Sequence, residues 1–268
     1  MANHDARPTE VLLPAAPAAP ARRRRTAARA WITFAAVVAV VSFLLIVADV
    51  VTRGIAEQRI ADQIQVSLPA GVEGDVDVSV GGFSVITQLL AGTMDRVELS
   101  APELLVEGAP LRVDVVGEGV PVDLASPVER IDATVVVGQD ALNQLVTVPG
   151  VDGGFALGDG TVGYEGSVAL LGLSFDYSVA AKPTAAGDSV LLEPAEVTVE
   201  AGGAAIDVSG LITELVGEDP LDVCVAPYLP EGVEVSSITV APGTARVELH
   251  AQWLMLDRAS LEQTGRCD

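Results

Sequence analysis

The sequence predicts an α+β, β-rich domain, a long curved antiparallel sheet packed on a few helices, preceded by one transmembrane helix. Three observations predict it. The run Ala30–Ala48 carries no charge. From Asp75 onward the apolar period changes from helical spacing to strict alternation, as in half-buried strands. Val, Ala, Leu and Gly dominate while aromatics are only 4%, which suits strands joined by repeated turns. With hydrophobic residues at 50%, an intrinsically disordered chain is excluded.

At about 1.5 Å per residue, Ala30–Ala48 just crosses a hydrocarbon core of roughly 30 Å. Arg22, Arg23, Arg24, Arg25 and Arg29 precede it directly, and only Arg53 and Arg59 follow closely. The positive-inside bias then divides the chain into a disordered, basic, Pro/Ala-rich cytoplasmic tail (1–29), a transmembrane anchor (30–51) and an extracytoplasmic domain (52–268). A cleaved signal peptide is the competing reading. Ile46 is poor at the −3 position of a cut after Ala48, while Gly54-Ile55-Ala56 fits the pattern but lies past the apolar run.

The first 29 residues hold six Arg against Asp5 and Glu10, a charge of +4, so with −22 overall the rest of the chain carries −26. Such a domain repels phosphate backbones, and nucleic acid is excluded as a partner.

Beyond the anchor, Val50–Leu68 has helical spacing, with Ile55, Ala56, Ile60, Ala61 and Ile64 on an apolar stripe and Glu57, Arg59, Asp62 and Gln65 around it. Pro69 and Gly71 end it. Asp75–Val80 alternates as a strand and Gly81-Gly82 breaks it. Phe83–Ala91 reads as a short helix with Ile86, Leu89 and Leu90 on one face, closed by Gly92. Met94–Ala101, with Val97 and Leu99 inward, Leu111–Val116 and Ile131–Val137 are strands. Gln139–Val148 is a second short helix carrying Leu142, Leu145 and Val146. The segments Thr161–Gly166, Ser167–Lys182, Ser189–Ala201, Ala204–Ser209 and Thr244–Leu256 all alternate between Gly, Pro or Asp punctuation. A helical turn fits within Asp207–Gly217. An antiparallel meander is the expected arrangement.

Catalytic signatures are missing. His250 is the one histidine beyond the tail, no serine sits in a Gly-x-Ser-x-Gly elbow, and no Gly-rich phosphate loop is present. Acidic pairs are inevitable in so acidic a domain and carry no information. The expectation is a non-enzyme with no cofactor and no metal. Cys224 and Cys267 are the two cysteines; outside the cell they form a disulfide on one reading and remain free thiols on the other.

One stretch is more specific than composition. The run from Gly82 to Leu99, GFSVITQLLAGTMDRVEL, resembles the hallmark of the actinobacterial LmeA-like family: a Gly-Phe, an apolar helix bearing Thr-Gln-Leu, a Gly, then Asp-Arg-Val leading a strand. Ala56–Ala61 is similar to the family's entry helix, as is Leu229-Pro230-Glu231-Gly232-Val233 with Val247-Glu248-Leu249 to its later part. The resemblance implies a cell-envelope protein associated with phospholipid binding and lipomannan elongation. Expected partners are phospholipid, the membrane and an envelope glycosyltransferase. The candidate lipid-binding residues are Phe83, Ile86, Leu89, Leu90, Leu142 and Leu145, with Arg96 for a lipid phosphate. Filling the core is the alternative for each apolar residue, and pairing with a neighbouring carboxylate the alternative for Arg96. Three functions compete: a lipid-binding module, which requires an apolar cavity open at one end; a scaffold for an envelope enzyme, which requires a filled core with an exposed apolar patch; and a glycan-acting enzyme, which requires a cleft with converging carboxylates.

Overall fold

The computed structural model describes residues 23–68, 71–147, 152–170, 173–201, 204–207 and 220–267. The chain divides into two units, Met1–Ala48 and Asp49–Asp268. A single helix, α1 (Arg23–Ser67), begins in the first and ends in the second. Its stretch Thr33–Val66 is long and apolar enough to cross a membrane. No Pro and only Gly54 interrupts α1, so nothing in the backbone stops the helix before Ser67.

The second unit is built on two antiparallel sheets, as an α+β, β-rich domain should be. The first contains β1 (Val72–Glu73), β2 (Asp77–Val80), β3 (Thr93–Val106), β4 (Ala109–Pro121), β5 (Val128–Gly138), β12 (Val233–Ala241) and β13 (Thr244–Leu254). Its order is β1-β3-β4-β5-β13-β12, with β2 also on β3. The second contains β6 (Asp152–Leu157), β7 (Val162–Leu170), β8 (Leu173–Ala185), β9 (Ser189–Ala201), β10 (Ala204–Asp207) and β11 (Leu221–Cys224). Its order is β10-β9-β8-β7-β6, with β11 also on β9. Short helices α2 (Val85–Ala91), α3 (Gln139–Leu145) and α4 (Arg258–Leu261) complete the fold.

Among the described residues the two sheets are stitched at two places. Val235 at the β12 edge bridges Gly187 between β8 and β9. Gly160 donates its N–H to the Val240 carbonyl at 3.1 Å, and Gly243 donates to the Leu157 carbonyl at 2.9 Å. Leu157, Val240 and Ala245 form a buried cluster there, and Leu142 of α3 packs on it. Cys224 and Cys267 are disulfide-bonded, with Cα atoms 6.0 Å apart. The tail they hold is stitched further by the Glu231 N–H to the Gln263 carbonyl.

Several expectations are corrected. Ser167–Lys182 is not one strand: β7 runs to Leu170, β8 starts at Leu173, and these residues face each other across the pair. The apolar Val168–Leu173 run concealed the reversal. β3, β4 and β5 each extend beyond the expected limits, because a register shift between Ala101 and Leu104 bends β3 without ending it. β6 went unpredicted because Gly153-Gly154 leave no alternation to read, and β1, β11 and β12 were also missed. The helical turn expected within Asp207–Gly217 falls on residues 208–217, outside the described residues.

Candidate functional site

The second half of α1 is clasped to the domain by polar residues spaced four apart, on one face of the helix. Asp49 Oδ1 accepts from Ser84 Oγ at 2.7 Å and from the Ile86 N–H at 3.1 Å. One turn on, Arg53 donates to the carbonyls of Val80 at 2.8 Å and Gly82 at 3.0 Å. After another turn, Glu57 accepts the Val80 N–H at 2.9 Å. Ala56 and Ile60 beside them pack on the buried cluster Val80, Val85, Met94 and Val97. Ile55, expected on the packed stripe, is instead exposed.

The stretch that resembles a family hallmark is what builds the docking partner of α1. Ser84 caps α2 by accepting the Thr87 N–H, and Gly92 ends it in the left-handed conformation, φ +82°. Gln88 is the pivot. It is 5% exposed, its Nε2 donates to the Gly81 carbonyl at 3.0 Å, and its Oε1 accepts the Asp95 N–H at 2.8 Å. Gly82 lies against that amide at φ +91°, where any Cβ would strike the Gln88 and Asp95 side chains. α2 therefore buries Val85 and Gln88. The face expected to pack inward points out: Leu90 is 84% exposed and Phe83, just before the cap, 99%.

A cavity of about 690 Å³ lies between the last turns of α1 and the first sheet. One wall is Arg59, Ile60, Gln63 and Ile64. The floor is two rungs of the ladder. Val97, Gly117, Ile131, Ala251 and Val233 are successive partners across β3, β4, β5, β13 and β12, and Leu99, Val115, Ala133 and Leu249 form the adjacent rung. Pro121, Val122, Leu124, Leu254 and Leu256 line one end. Gly117, Ala133 and Ala251 contribute almost no side chain to this floor. The volume falls within the roughly 300–1,000 Å³ of small-molecule sites.

The lining is apolar except on and near the helix wall. Gln63 and Arg59 supply polar groups, and the Arg59 guanidinium makes no ion pair or hydrogen bond among the described residues. His250 borders the cavity, yet its ring Nδ1 is 2.7 Å from Asp132 Oδ1. Alternation puts polar groups on the reverse face of the floor. There Arg96 Nε donates to Glu98 Oε1 at 2.6 Å, with Glu118 Oε1 3.3 Å from Nη1. The hydrogen bond to Glu98 holds the Arg96 pKa above its ordinary value. Serine, aspartate and threonine continue that face, with Ser100 Oγ donating to Asp114 at 2.6 Å.

None of the seven candidate lipid-binding residues lines this cavity. Phe83, Leu89 and Leu90 are exposed on and beside α2, and Ile86 is half-buried with its N–H held by Asp49. Leu142 joins the cluster between the sheets and Leu145 is half-buried on α3. Arg96 is held by carboxylates on the reverse face. Val97 and Leu99, read as inward-facing, do line the cavity, as do Ile60 and Ile64 of the predicted helical stripe.

Comparison with curated proteins gives no match, and comparison with solved structures gives none either. A family model, LmeA-like phospholipid-binding, matches residues 47–250. The match begins beside Asp49, the first clasp, and ends within β13, so it takes in the helix wall, the docking motif and most of the cavity floor. The chain belongs to the LmeA-like phospholipid-binding family.

Proposed function

We propose that this chain is a single-pass cell-envelope protein that holds a phospholipid in the cavity between α1 and the first sheet. On this reading residues 1–29 are cytoplasmic, 30–51 are the anchor and 52–268 lie outside. The protein binds without catalysis and supports assembly of envelope glycolipids of the lipomannan type, in the company of a membrane glycosyltransferase. The observation that carries the reading is the cavity of about 690 Å³, apolar on its sheet floor and bordered by one arginine with no ion pair or hydrogen bond among the described residues. Acyl chain fits the floor, because transfer of apolar surface out of water yields roughly 25 cal/mol per Å². Arg59 is the cation suited to a lipid phosphate, which a guanidinium meets with paired N–H donors. The arginine cluster before the apolar run supports the orientation. The disulfide suits an oxidising compartment. A scaffold with no ligand has no need of a void beneath its central strands.

The test is native mass spectrometry of the full-length chain released from detergent, beside Ala133→Trp and Arg59→Gln. Lipid loosely surrounding the anchor is stripped alike from all three. The wild type should retain one phospholipid, Ala133→Trp none while its thermal unfolding stays cooperative, and Arg59→Gln a reduced fraction. Equal retention by the wild type and a folded Ala133→Trp would sink the cavity as the lipid site.

A further inference from the structure

We propose that the sheet end bearing α2 is a bilayer-insertion rim, in which Phe83, Leu90, Val122, Leu124 and Trp253 enter the headgroup–acyl boundary of the membrane that holds the anchor. The proposal rests on the anchoring reading above and adds a second contact with the same bilayer.

Connectivity supplies the first argument. Asp49 follows the uncharged run Ala30–Ala48 directly, and its carboxylate is hydrogen-bonded to Ser84 Oγ and the Ile86 N–H. The start of α2 is therefore within a hydrogen bond of Asp49, in the last turn of the anchor. Arg53, one turn later, holds the carbonyls of Val80 and Gly82, on the doorstep of Phe83.

Exposure supplies the second. Phe83 is 99% and Leu90 84% accessible, an apolar pair left open by the described residues. The Val122 N–H donates to the Gly92 carbonyl at 3.0 Å, which ties the β4–β5 connection to the end of α2. That connection exposes Val122 and Leu124, and both also line the cavity. The apolar rim and the cavity end are thus continuous.

Backbone strain supplies the third. Leu124 and Trp253 have φ of +52° and +57°, the left-handed region that bulky side chains avoid. Trp253 is 64% exposed and immediately precedes Leu254, which lines the cavity and pairs with Val128 at the start of β5. In water, a strained backbone that holds leucine and tryptophan outward gains nothing. At a bilayer surface it places an apolar wedge and an interfacial tryptophan where each is favoured. A lipid leaving the bilayer would meet this rim before the cavity.

The chain has two tryptophans, Trp31 in the anchor and Trp253 in the rim, which makes the test direct. Full-length protein is reconstituted in vesicles of phosphatidylcholine and phosphatidylglycerol, with or without 6,7-dibrominated acyl chains that quench nearby indoles. Trp31→Phe leaves Trp253 as the reporter, and Trp253→Phe leaves Trp31. With both tryptophans replaced by phenylalanine, Phe83→Trp and Thr244→Trp report on the rim and on the far end of β13. Thr244 is nine residues from Trp253, roughly 30 Å at about 3.3 Å per residue. Expected is at least about twofold quenching of Trp253, of the Phe83→Trp reporter and of Trp31, with none at the Thr244→Trp reporter. If Trp31 is quenched and both rim reporters match the Thr244→Trp reporter, the rim is overturned and the anchor stands. If Trp31 itself is unquenched, anchor and rim both fall. Blue-shifted but unquenched rim emission would mean that a second copy or another protein covers the patch, which also overturns the proposal.

Discussion

Gln88→Leu should destabilise the domain by about 2–3 kcal/mol, while Leu90→Ser two residues away leaves it nearly unchanged. The pair inverts the usual rule that buried means apolar. Gln88 is 5% exposed and satisfies the Gly81 carbonyl and the Asp95 N–H at 3.0 and 2.8 Å. Leucine fills the space and removes both partners. A buried group left unpaired costs about 1–3 kcal/mol. Gly81 is only half-buried and Asp95 exposed, so water partly replaces the amide and each loss sits near the lower end. Leu90, 84% exposed, has little burial to lose, so the change stays within about 0.5 kcal/mol. The assay is urea unfolding of the full-length protein in one detergent, followed by far-UV circular dichroism with the slope of the transition compared between variants. The reasoning fails if Gln88→Leu falls within about 0.5 kcal/mol of the wild type, or if Leu90→Ser costs about 2 kcal/mol, as a leucine packed against the sheet would.

Two further outcomes follow from the C-terminal region. Cys224 and Cys267 close a loop with a sequence separation of 43, so removing the disulfide by Cys224→Ser with Cys267→Ser should cost about 4 kcal/mol in the chain-entropy model; a change below about 1 kcal/mol in the same unfolding assay would contradict it. The Asp257 carboxylate caps α4, accepting from Ser260 Oγ at 2.6 Å and the Ser260 N–H at 3.1 Å, and these bonds hold its pKa below the ordinary carboxylate value. Because the folded value is depressed, the contribution is present above the unfolded pKa of about 3.9 and is lost as pH falls through the folded value. The Ser260 amide resonance should titrate with a midpoint below about 3.9, and a midpoint above it would refute the cap.

Period was legible in the sequence and partnership was not. Alternation located β9 to the residue, β13 from its first residue to just past its end, and β3, β4 and β5 in their central spans, since a sheet with one polar and one apolar face must alternate. The same reading gave α2 its helix and the wrong buried face. Ile86, Leu89 and Leu90 have the spacing of a core stripe, but Gln88 wins the interior through hydrogen bonds to Gly81 and Asp95, each seven residues away along the chain. No helical period registers a tertiary hydrogen bond. The cavity is harder still, because a void is made by atoms that are absent. Its trace is small residues, Gly117, Ala133 and Ala251, on the inward face of strands otherwise lined by Val, Leu and Ile. Only the strand register, which puts Gly117 against Ile131 and Ile131 against Ala251, turns scattered small residues into one hollow.

The clasp of α1 bears on whether the domain can ever be shed. Gly54-Ile55-Ala56 is a peptidase-compatible sequence, and a cut after Ala56 would leave a product beginning at Glu57. Such a product keeps the cavity wall of Arg59, Ile60, Gln63 and Ile64 but loses Asp49 and Arg53. Ser84 Oγ and the Ile86 N–H would lose their carboxylate, and the carbonyls of Val80 and Gly82 their guanidinium. The helix stub would then hold to its neighbours by Glu57 and a few apolar contacts, with a new charged terminus at its first residue. Secretion and integrity are therefore opposed in this molecule: a freely released form inherits an unlatched wall, and recombinant fragments meant to retain ligand should start upstream of Asp49.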